Sequence, residues 1–373
     1  MQKNIPFVLL ILLAAAFAGT ASAVLVSNSL ERYAASLLDD RRFAALAPLQ
    51  HALSPTTLEE SLAAVQETML NSVVVLVDED MENTTQSPFI PEKKLVHGGG
   101  IIVSADGWIV TTRAQLARYA DERGGYSGFS IVRDGEIFVV EKVVEDTQTD
   151  AVAIRVEGAQ GWTPVELAES DEVFPGGTVF GIGSLGEVYV ASLMNREVQD
   201  EDAIVPAEEP SAVWNISESL AVGTPLLTGQ TRLFGFVDSE GYAVPAQAIR
   251  SFIKQALRGS IITHAALGVS ITDLSHLSSL SRVVTQGYSE GALIITPAGE
   301  RTATVQNGPA DVAGLTDGDI ILSLDDVRIT AETTCADILA TYAPGQQVTL
   351  RVVRNGEVKD MQVTLGTWEE LVY

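Results

Sequence analysis

From Ser72 onward the chain falls into short β-branched runs, each closed by a glycine turn, and this rhythm limits what it can fold into. Val73 to Val77, Gly100 to Val103, Trp108 to Thr111, Ile137 to Val144, Ala151 to Val156, Thr178 to Ile182, Val188 to Leu193 and Leu233 to Val237 read as strands. Ala105-Asp106-Gly107 and Asp134-Gly135 supply turns between them, and the pattern predicts an antiparallel β-barrel or sandwich pair. The acidic stretch from Asp200-Glu201-Asp202 to Glu208-Glu209-Pro210 reads as an exposed loop, because a charge run is ordinarily a solvated face. Pro245 to Leu257 reads as a helix that closes this body before Gly259.

A second body begins near Ile262. Ala266-Leu267-Gly268-Val269-Ser270-Ile271 opens it, Gly291 to Thr296 and Val348 to Val353 read as strands, and Asn307 to Leu315 reads as a short helix ended by Gly314. Asp317-Gly318-Asp319 is a turn leading into a strand from Ile320. Ala331 to Tyr342 is expected to be a helix stopped by Pro344-Gly345, and Arg354-Asn355-Gly356-Glu357 a hairpin turn. Cys335, spaced to Ile338 and Leu339 as on one apolar helix face, reads as an inert core thiol.

Ahead of both bodies, Ile5 to Val26 is uncharged and mostly apolar, preceded by Lys3 and followed by Glu31, Arg32 and Asp39. That length can cross a bilayer as a helix and would leave the remainder outside the cytoplasm. Ala21-Ser22-Ala23 also has the small-x-small form of a signal-peptide cleavage site, which would give a secreted product instead. Leu30, Tyr33, Ala34, Leu37 and Leu38 recur at helical spacing, and Ser54-Pro55-Thr56-Thr57-Leu58-Glu59-Glu60 marks a new helix start, as in a stem that lifts a globular body off a membrane. The expected division is an anchor or signal over 1–28, a helical stem over 29–60, one β-rich domain over 61–259 and a second over 262–368.

A formal net charge of −26 with no basic run argues against nucleic acid as a partner. One cysteine excludes an internal disulfide and any multi-cysteine metal site. His51, His97, His264 and His276 are scattered, with no pair at metal-ligand spacing, so no metal and no cofactor are expected.

Several segments, in order, resemble the HtrA (DegP/DegQ-type) family of trypsin-like serine proteases with a C-terminal PDZ domain. They are Gly98-Gly99-Gly100-Ile101-Ile102-Val103 through Trp108-Ile109-Val110-Thr111, Thr149-Asp150-Ala151-Val152-Ala153-Ile154, Glu169-Ser170-Asp171 through Gly181-Ile182-Gly183-Ser184, Leu267-Gly268-Val269, Asn307-Gly308-Pro309-Ala310 and Asp317-Gly318-Asp319-Ile320. The resemblance covers roughly Leu62 to Gly366. It implies a mostly β fold, a trypsin-like double β-barrel followed by a PDZ domain, here with an N-terminal transmembrane helix and helical stem.

The family's chemistry takes a nucleophile, a base and an orienting carboxylate from three segments. Where the family has Asn-Ala-His-Val after Ile109-Val110-Thr111, this chain reads Thr112-Arg113-Ala114-Gln115, which puts Ala114 at the base position. Asp150 stands at the carboxylate position, where without an imidazole it is expected to bond to backbone or solvent. The family's Gly-Asn-Ser-Gly-Gly-Pro-Leu reads Leu220-Ala221-Val222-Gly223-Thr224-Pro225-Leu226, which puts Val222 at the nucleophile position. Val222 has no proton to give and no lone pair to attack with. Ser217, Ser219 and Thr224 are the hydroxyls near that turn, yet no histidine falls near it in sequence; Lys142 and Lys254 lack the motif context of a Ser-Lys dyad.

Peptide binding needs none of this chemistry. A PDZ domain adds an extended peptide as a strand and holds its terminal carboxylate on backbone amides. The resemblance assigns that role to Leu267, Gly268, Val269, Ser270 and Ile271. Three functions follow as expectations: a membrane-anchored, extracytoplasmic pseudoprotease that binds peptide C-termini or unfolded proteins in protein quality control; a serine endopeptidase with a non-standard site; or a structural subunit of a mixed oligomer. The expected partners are peptide ends, a membrane through residues 5–26, and other copies in a homotrimer or HtrA-like relatives in a mixed oligomer.

Overall fold

The computed structural model describes residues 57–78, 96–122, 125–169, 172–198, 204–209, 212–276 and 283–371. The anchor expected over residues 5–26 and the stem up to residue 56 lie outside the described residues. Among the described residues no helix is long and apolar enough to cross a membrane.

Thr57 opens the first helix, α1 (Leu58–Ser72). Its hydroxyl accepts from the Glu60 amide and the Glu60 carboxylate accepts from the Thr57 amide, a capping box that satisfies two otherwise orphaned donors. Val65 is fully buried in one apolar cluster with Phe180, Leu227 and Phe252. The helix that opens at Leu58 therefore packs on the globular body through Val65.

Seven strands follow: β1 (Val73–Asp78), β2 (Val96–Ile102), β3 (Trp108–Thr112), β4 (Phe129–Arg133), β5 (Glu136–Phe138), β6 (Val140–Glu145) and β7 (Ala151–Val156). They form a sheet of order β5-β4-β1-β2-β3-β7-β6. Between β3 and β4 lies α2 (Arg113–Leu116). The run expected to be continuous from Ile137 to Val144 breaks at Val139, whose side chain is exposed.

The side chains of β3 and β7 explain why these runs are mostly apolar rather than alternating. Trp108 and Val110 feed one cluster and Ile109 the other; Ala151 and Ala153 join the first, Val152 and Ile154 the second. Both faces of the sheet are covered, so period-2 geometry leaves no polar side. The first cluster includes Phe180, Ile182, Leu233 and Phe236, and so is shared with the next β body.

That body is a closed barrel of order β11-β14-β13-β12-β8-β9, built from β8 (Thr178–Ile182), β9 (Val188–Val198), β11 (Ala212–Ile216), β12 (Pro225–Thr228), β13 (Leu233–Val237) and β14 (Ala243–Pro245). Between β9 and β11 the chain leaves the barrel to make β10 (Val205–Pro206). A helix expected from Pro245 starts later, as α3 (Arg250–Leu257), because Pro245 is the last residue of β14 and pairs with Gly235. Strands β4, β11, β12 and β14 had no clear signal in sequence.

The C-terminal part holds β15 (Ala265–Ala266), β16 (Ser270–Asp273), β17 (Ala292–Ile294), α4 (Pro309–Ala313), β18 (Ile320–Leu324), β19 (Val327–Arg328), α5 (Cys335–Leu339), β20 (Gln347–Arg354), β21 (Glu357–Thr364) and β22 (Gly366–Thr367). Its sheet runs β10-β16-β17-β18-β20-β21, with β19 on β18 and a separate β15-β22 pair. Asn355 and Gly356, both at positive φ, make the β20–β21 hairpin turn, and Gly314 at φ 79° caps α4. Cys335 is fully buried at the start of α5, and burial pushes its thiol well above the usual range, so it stays protonated. The outermost strand, β10, comes from the acidic stretch expected to be an exposed loop.

Candidate functional site: a degenerate cleft and an occupied peptide groove

The turn Ala221–Thr224 connects β11 to β12. The Thr224 amide donates to the Ala221 carbonyl at 3.1 Å, and Gly223 sits at φ +77°, a left-handed conformation that favours glycine. Leu220 lies against bare backbone: a Cβ at Gly181 would come within 2.8 Å of Leu220 Cδ1. The turn leaves Val222 37% exposed.

The side chain that meets this turn is Gln115, not Ala114. Ala114 lies exposed on α2. Gln115 Nε2 donates to the Val222 carbonyl at 2.7 Å, and its Oε1 accepts from the Gly99 amide at 3.2 Å. It fits because Gly98 and Gly223 lack Cβ atoms; one built on either would overlap it. An amide oxygen is a poor base, so Gln115 bridges the two halves of the cleft without being able to take a proton from a nucleophile. Thr112 Oγ1, next to Gly223, is buried and without a hydrogen-bond partner among the described residues.

Asp150, half-exposed to solvent, also meets a cation. Arg113 Nε stands 3.1 Å from Asp150 Oδ1, and the same guanidinium donates to the Thr149 carbonyl. Both partners are half-exposed, so the ion pair contributes little stability, on the order of 0–1 kcal/mol, and biases the carboxylate toward Arg113. Beside it, a cavity of about 180 Å³ runs between Thr112, Asp150, Phe236 and Val237.

The histidines are used elsewhere. His97 Nε2 lies 3.2 Å from Asp78 Oδ2, beside Arg118, and the Tyr119 hydroxyl donates to Asp78 Oδ1 at 3.0 Å. His264 Nδ1 meets Glu369 Oε1 at 2.8 Å, while its Nε2 is 2.8 Å from the fully buried Asp146 Oδ1, an ion-pair contact. Burial would lower the imidazole pKa, but the two carboxylates outweigh it and hold it above its ordinary value. Ser217 Oγ accepts from the Ser192 amide at 3.0 Å. Lys142 lies on β6 and Lys254 on α3, not on the turn's neighbours β12 and α2.

The five residues assigned to peptide binding in sequence, Leu267 to Ile271, span the approach to β16 and its first residues. Leu267 and Gly268 lie between β15 and β16, and Gly268 at φ +70° turns successive amides toward one point, a nest for an anion. Ser270 and Ile271 begin β16, and Val269 precedes them. This edge is occupied by the chain itself. Val205 pairs with Ile271 and Pro206 with Ser270, antiparallel, and the Ala207 amide donates to the Val269 carbonyl at 2.9 Å. Glu208 Oε1 accepts from the Gly268 amide at 2.7 Å and from the Leu267 amide.

Sequence reading missed Gln115, Arg113 and Glu208. The signal for Glu208 was available in part, since Val205-Pro206-Ala207 is an apolar island inside a charge run.

Together these features define a trypsin-like β fold carrying a PDZ module. The PDZ-domain family matches residues 265–365. The chain is 28% identical over 292 residues to a probable periplasmic serine endoprotease, DegP-like, of Ectopseudomonas mendocina, covering 73% of this chain and 57% of that one. It is 23% identical over 288 residues to the periplasmic pH-dependent serine endoprotease DegQ of Escherichia coli, covering 72% and 59%. The chain thus spans less than two thirds of these relatives. In fold it is similar to the HtrA-type protease AlgW with a decapeptide, at TM-score 0.51 and 17% identity, covering 82% of this chain and 98% of that one. A second AlgW structure, with a tripeptide, gives TM-score 0.51 at 18% identity, covering 82% and 96%. The chain is thus similar to HtrA-type proteases in sequence and in fold.

Proposed function

We propose that the chain is an HtrA-type pseudoprotease that binds exposed peptide ends or misfolded chains through its PDZ module, as scaffold, chaperone or regulator in protein quality control. The observation that carries this reading is that the side chain bonded to the Val222 carbonyl is Gln115, a non-basic amide, while Ala114 and Val222 themselves carry neither a base nor a nucleophile. The periplasmic relatives support an extracytoplasmic location, and the apolar run from Ile5 to Val26 supports a membrane anchor. A homotrimer, or a mixed oligomer with HtrA-like relatives, belongs to the same proposal.

The test is hydrolysis of an unfolded protein such as casein by the purified full chain. No turnover is expected; turnover that a single replacement in this chain abolishes would sink the reading. The rival, a serine-type endopeptidase with a non-standard site, has one observation in its favour, the unpartnered Thr112 hydroxyl beside Gly223. A hydroxyl without a base stays protonated and weakly nucleophilic. No covalent labelling by a fluorophosphonate is therefore expected.

A further inference from the structure

We infer that the PDZ groove is held shut in cis by residues 204–208, which imitate a C-terminal peptide, and that an external peptide must displace them to bind. This rests on the peptide-binding reading above and adds its regulation.

The imitation is complete in its chemistry. A PDZ ligand lies antiparallel to the open strand edge, gives main-chain hydrogen bonds to it, places a terminal carboxylate on the backbone nest and buries its last side chain in an apolar pocket. Val205 and Pro206 supply the strand, and the Ala207 amide its bond to Val269. Ala207, 1% exposed, is the buried terminal side chain; it belongs to the same apolar cluster as Leu267, Val269, Cys335 and Leu339. Glu208, one residue on, lends its side-chain carboxylate to the amides of Leu267 and Gly268, where a free C-terminus at Ala207 would put its own. Glu208 is itself only 3% exposed, and an uncompensated carboxylate at that burial would be costly, so the nest holds it because the two fit.

A second contact pins the segment from outside. Arg196, near the end of β9, donates to Asp337 Oδ2 at 2.6 Å and to the Glu332 carbonyl. Asp337 is the capping-box residue of α5, which bears Cys335 and Leu339 of the pocket cluster. The barrel strand that precedes the inserted segment is thereby clamped to the helix bearing part of its pocket. The size of Ala207 also names the ligand class: peptides with a free carboxylate and a small apolar last residue.

The probe is a peptide copied from the chain itself, fluorescein-Gly-Gly-Ile-Val-Pro-Ala with a free C-terminus, and its C-terminal amide as control. Fluorescence anisotropy compares the full-length chain with Glu208→Ala and with Ala207→Asp/Glu208→Ala, which places an uncompensated carboxylate in the pocket. We expect at least tenfold tighter binding of the free acid by the double variant, no binding of the amide, and faster hydrogen exchange of the Leu267 and Gly268 amides in that variant without peptide. Equal affinity for wild type and variants would overturn the cis closure and leave peptide binding standing. If no form binds the probe, the peptide-binding reading fails, and hydrogen exchange decides the closure alone: faster exchange in the double variant supports it, unchanged exchange overturns it.

Discussion

Gln115 Nε2 donates a hydrogen bond to the Val222 carbonyl, tying α2 to the turn before β12. In a working serine protease these two segments meet through a proton transfer. Here they meet through a static amide contact, which makes Gln115 a strut across the cleft. Gln115→Ala is expected to lower stability by about 1 kcal/mol, the usual worth of one such bond, and to produce no casein hydrolysis. Thermal unfolding with a parallel protease assay checks both.

Restoring Ala114→His with Val222→Ser is expected to leave the protein inactive, because Arg113 already holds the Asp150 carboxylate. An imidazole without an orienting carboxylate is a poor base. Adding Arg113→Ala should release Asp150, yet no casein turnover is expected in the triple variant either, because residue 114 lies exposed on α2 and Gln115 occupies the contact with the turn. Casein turnover by either variant would refute this account.

The His264 junction makes stability depend on pH in a defined direction. Its pKa is raised above the ordinary 6.5, so its contribution is fully present below that value and lost as pH rises through the folded pKa. Glu369 runs the other way. Burial alone would raise it, but the hydrogen bond from His264 and further bonds bring it below its ordinary 4.5, so its contribution is present above that value and lost as pH falls through the folded pKa. The junction is thus strongest between about 4.5 and 6.5. His264→Ala should lower the melting temperature more at pH 5.5 than at pH 9, as read by differential scanning fluorimetry.

Asp319 is 1% exposed and takes the fork of Arg354, with Nε at 2.7 Å from Oδ1 and Nη2 at 2.6 Å from Oδ2. It also accepts from the Thr316 amide at 2.8 Å. Asp319→Ala leaves these donors unanswered and should cost about 2 kcal/mol, the usual worth of hydrogen bonds to a charged group, since Arg354 is partly exposed. Urea unfolding followed by fluorescence measures it, and a loss under 1 kcal/mol would contradict the assigned role.

What could be read from sequence was whatever local chemistry decides. Thr57 and Glu60 cap α1 through partners three residues apart, Asn355-Gly356 turns a hairpin with its own backbone, and Cys335 lies in a helix because its near neighbours share a face. The glycine runs marked the cleft for the same reason, since the bare backbone at Gly98 and Gly223 is visible in the letters. The contacts that decide function span the chain. Arg113 finds Asp150, Gln115 finds Val222, and Glu208 finds Gly268, none of them announced by spacing. For 204–209 the rule that charge means solvent failed because the carboxylate had a nest of amides to enter, which only the fold provides.

Pro206 carries a consequence for the molecule in company. Ala207 aims its amide at β16, so strand alternation turns the backbone of Pro206 away from the sheet. There it has no N–H to offer, and its carbonyl accepts from the Glu209 amide at 3.0 Å. Among the described residues, the β10 border of the sheet thus shows neither a donor nor an open acceptor at Pro206. Sheets with hungry borders recruit strands from neighbouring molecules and polymerise. On the β10 side, finishing with a proline gives the sheet a chemically silent margin, a guard against aggregation there in a protein whose proposed clients are themselves misfolded chains.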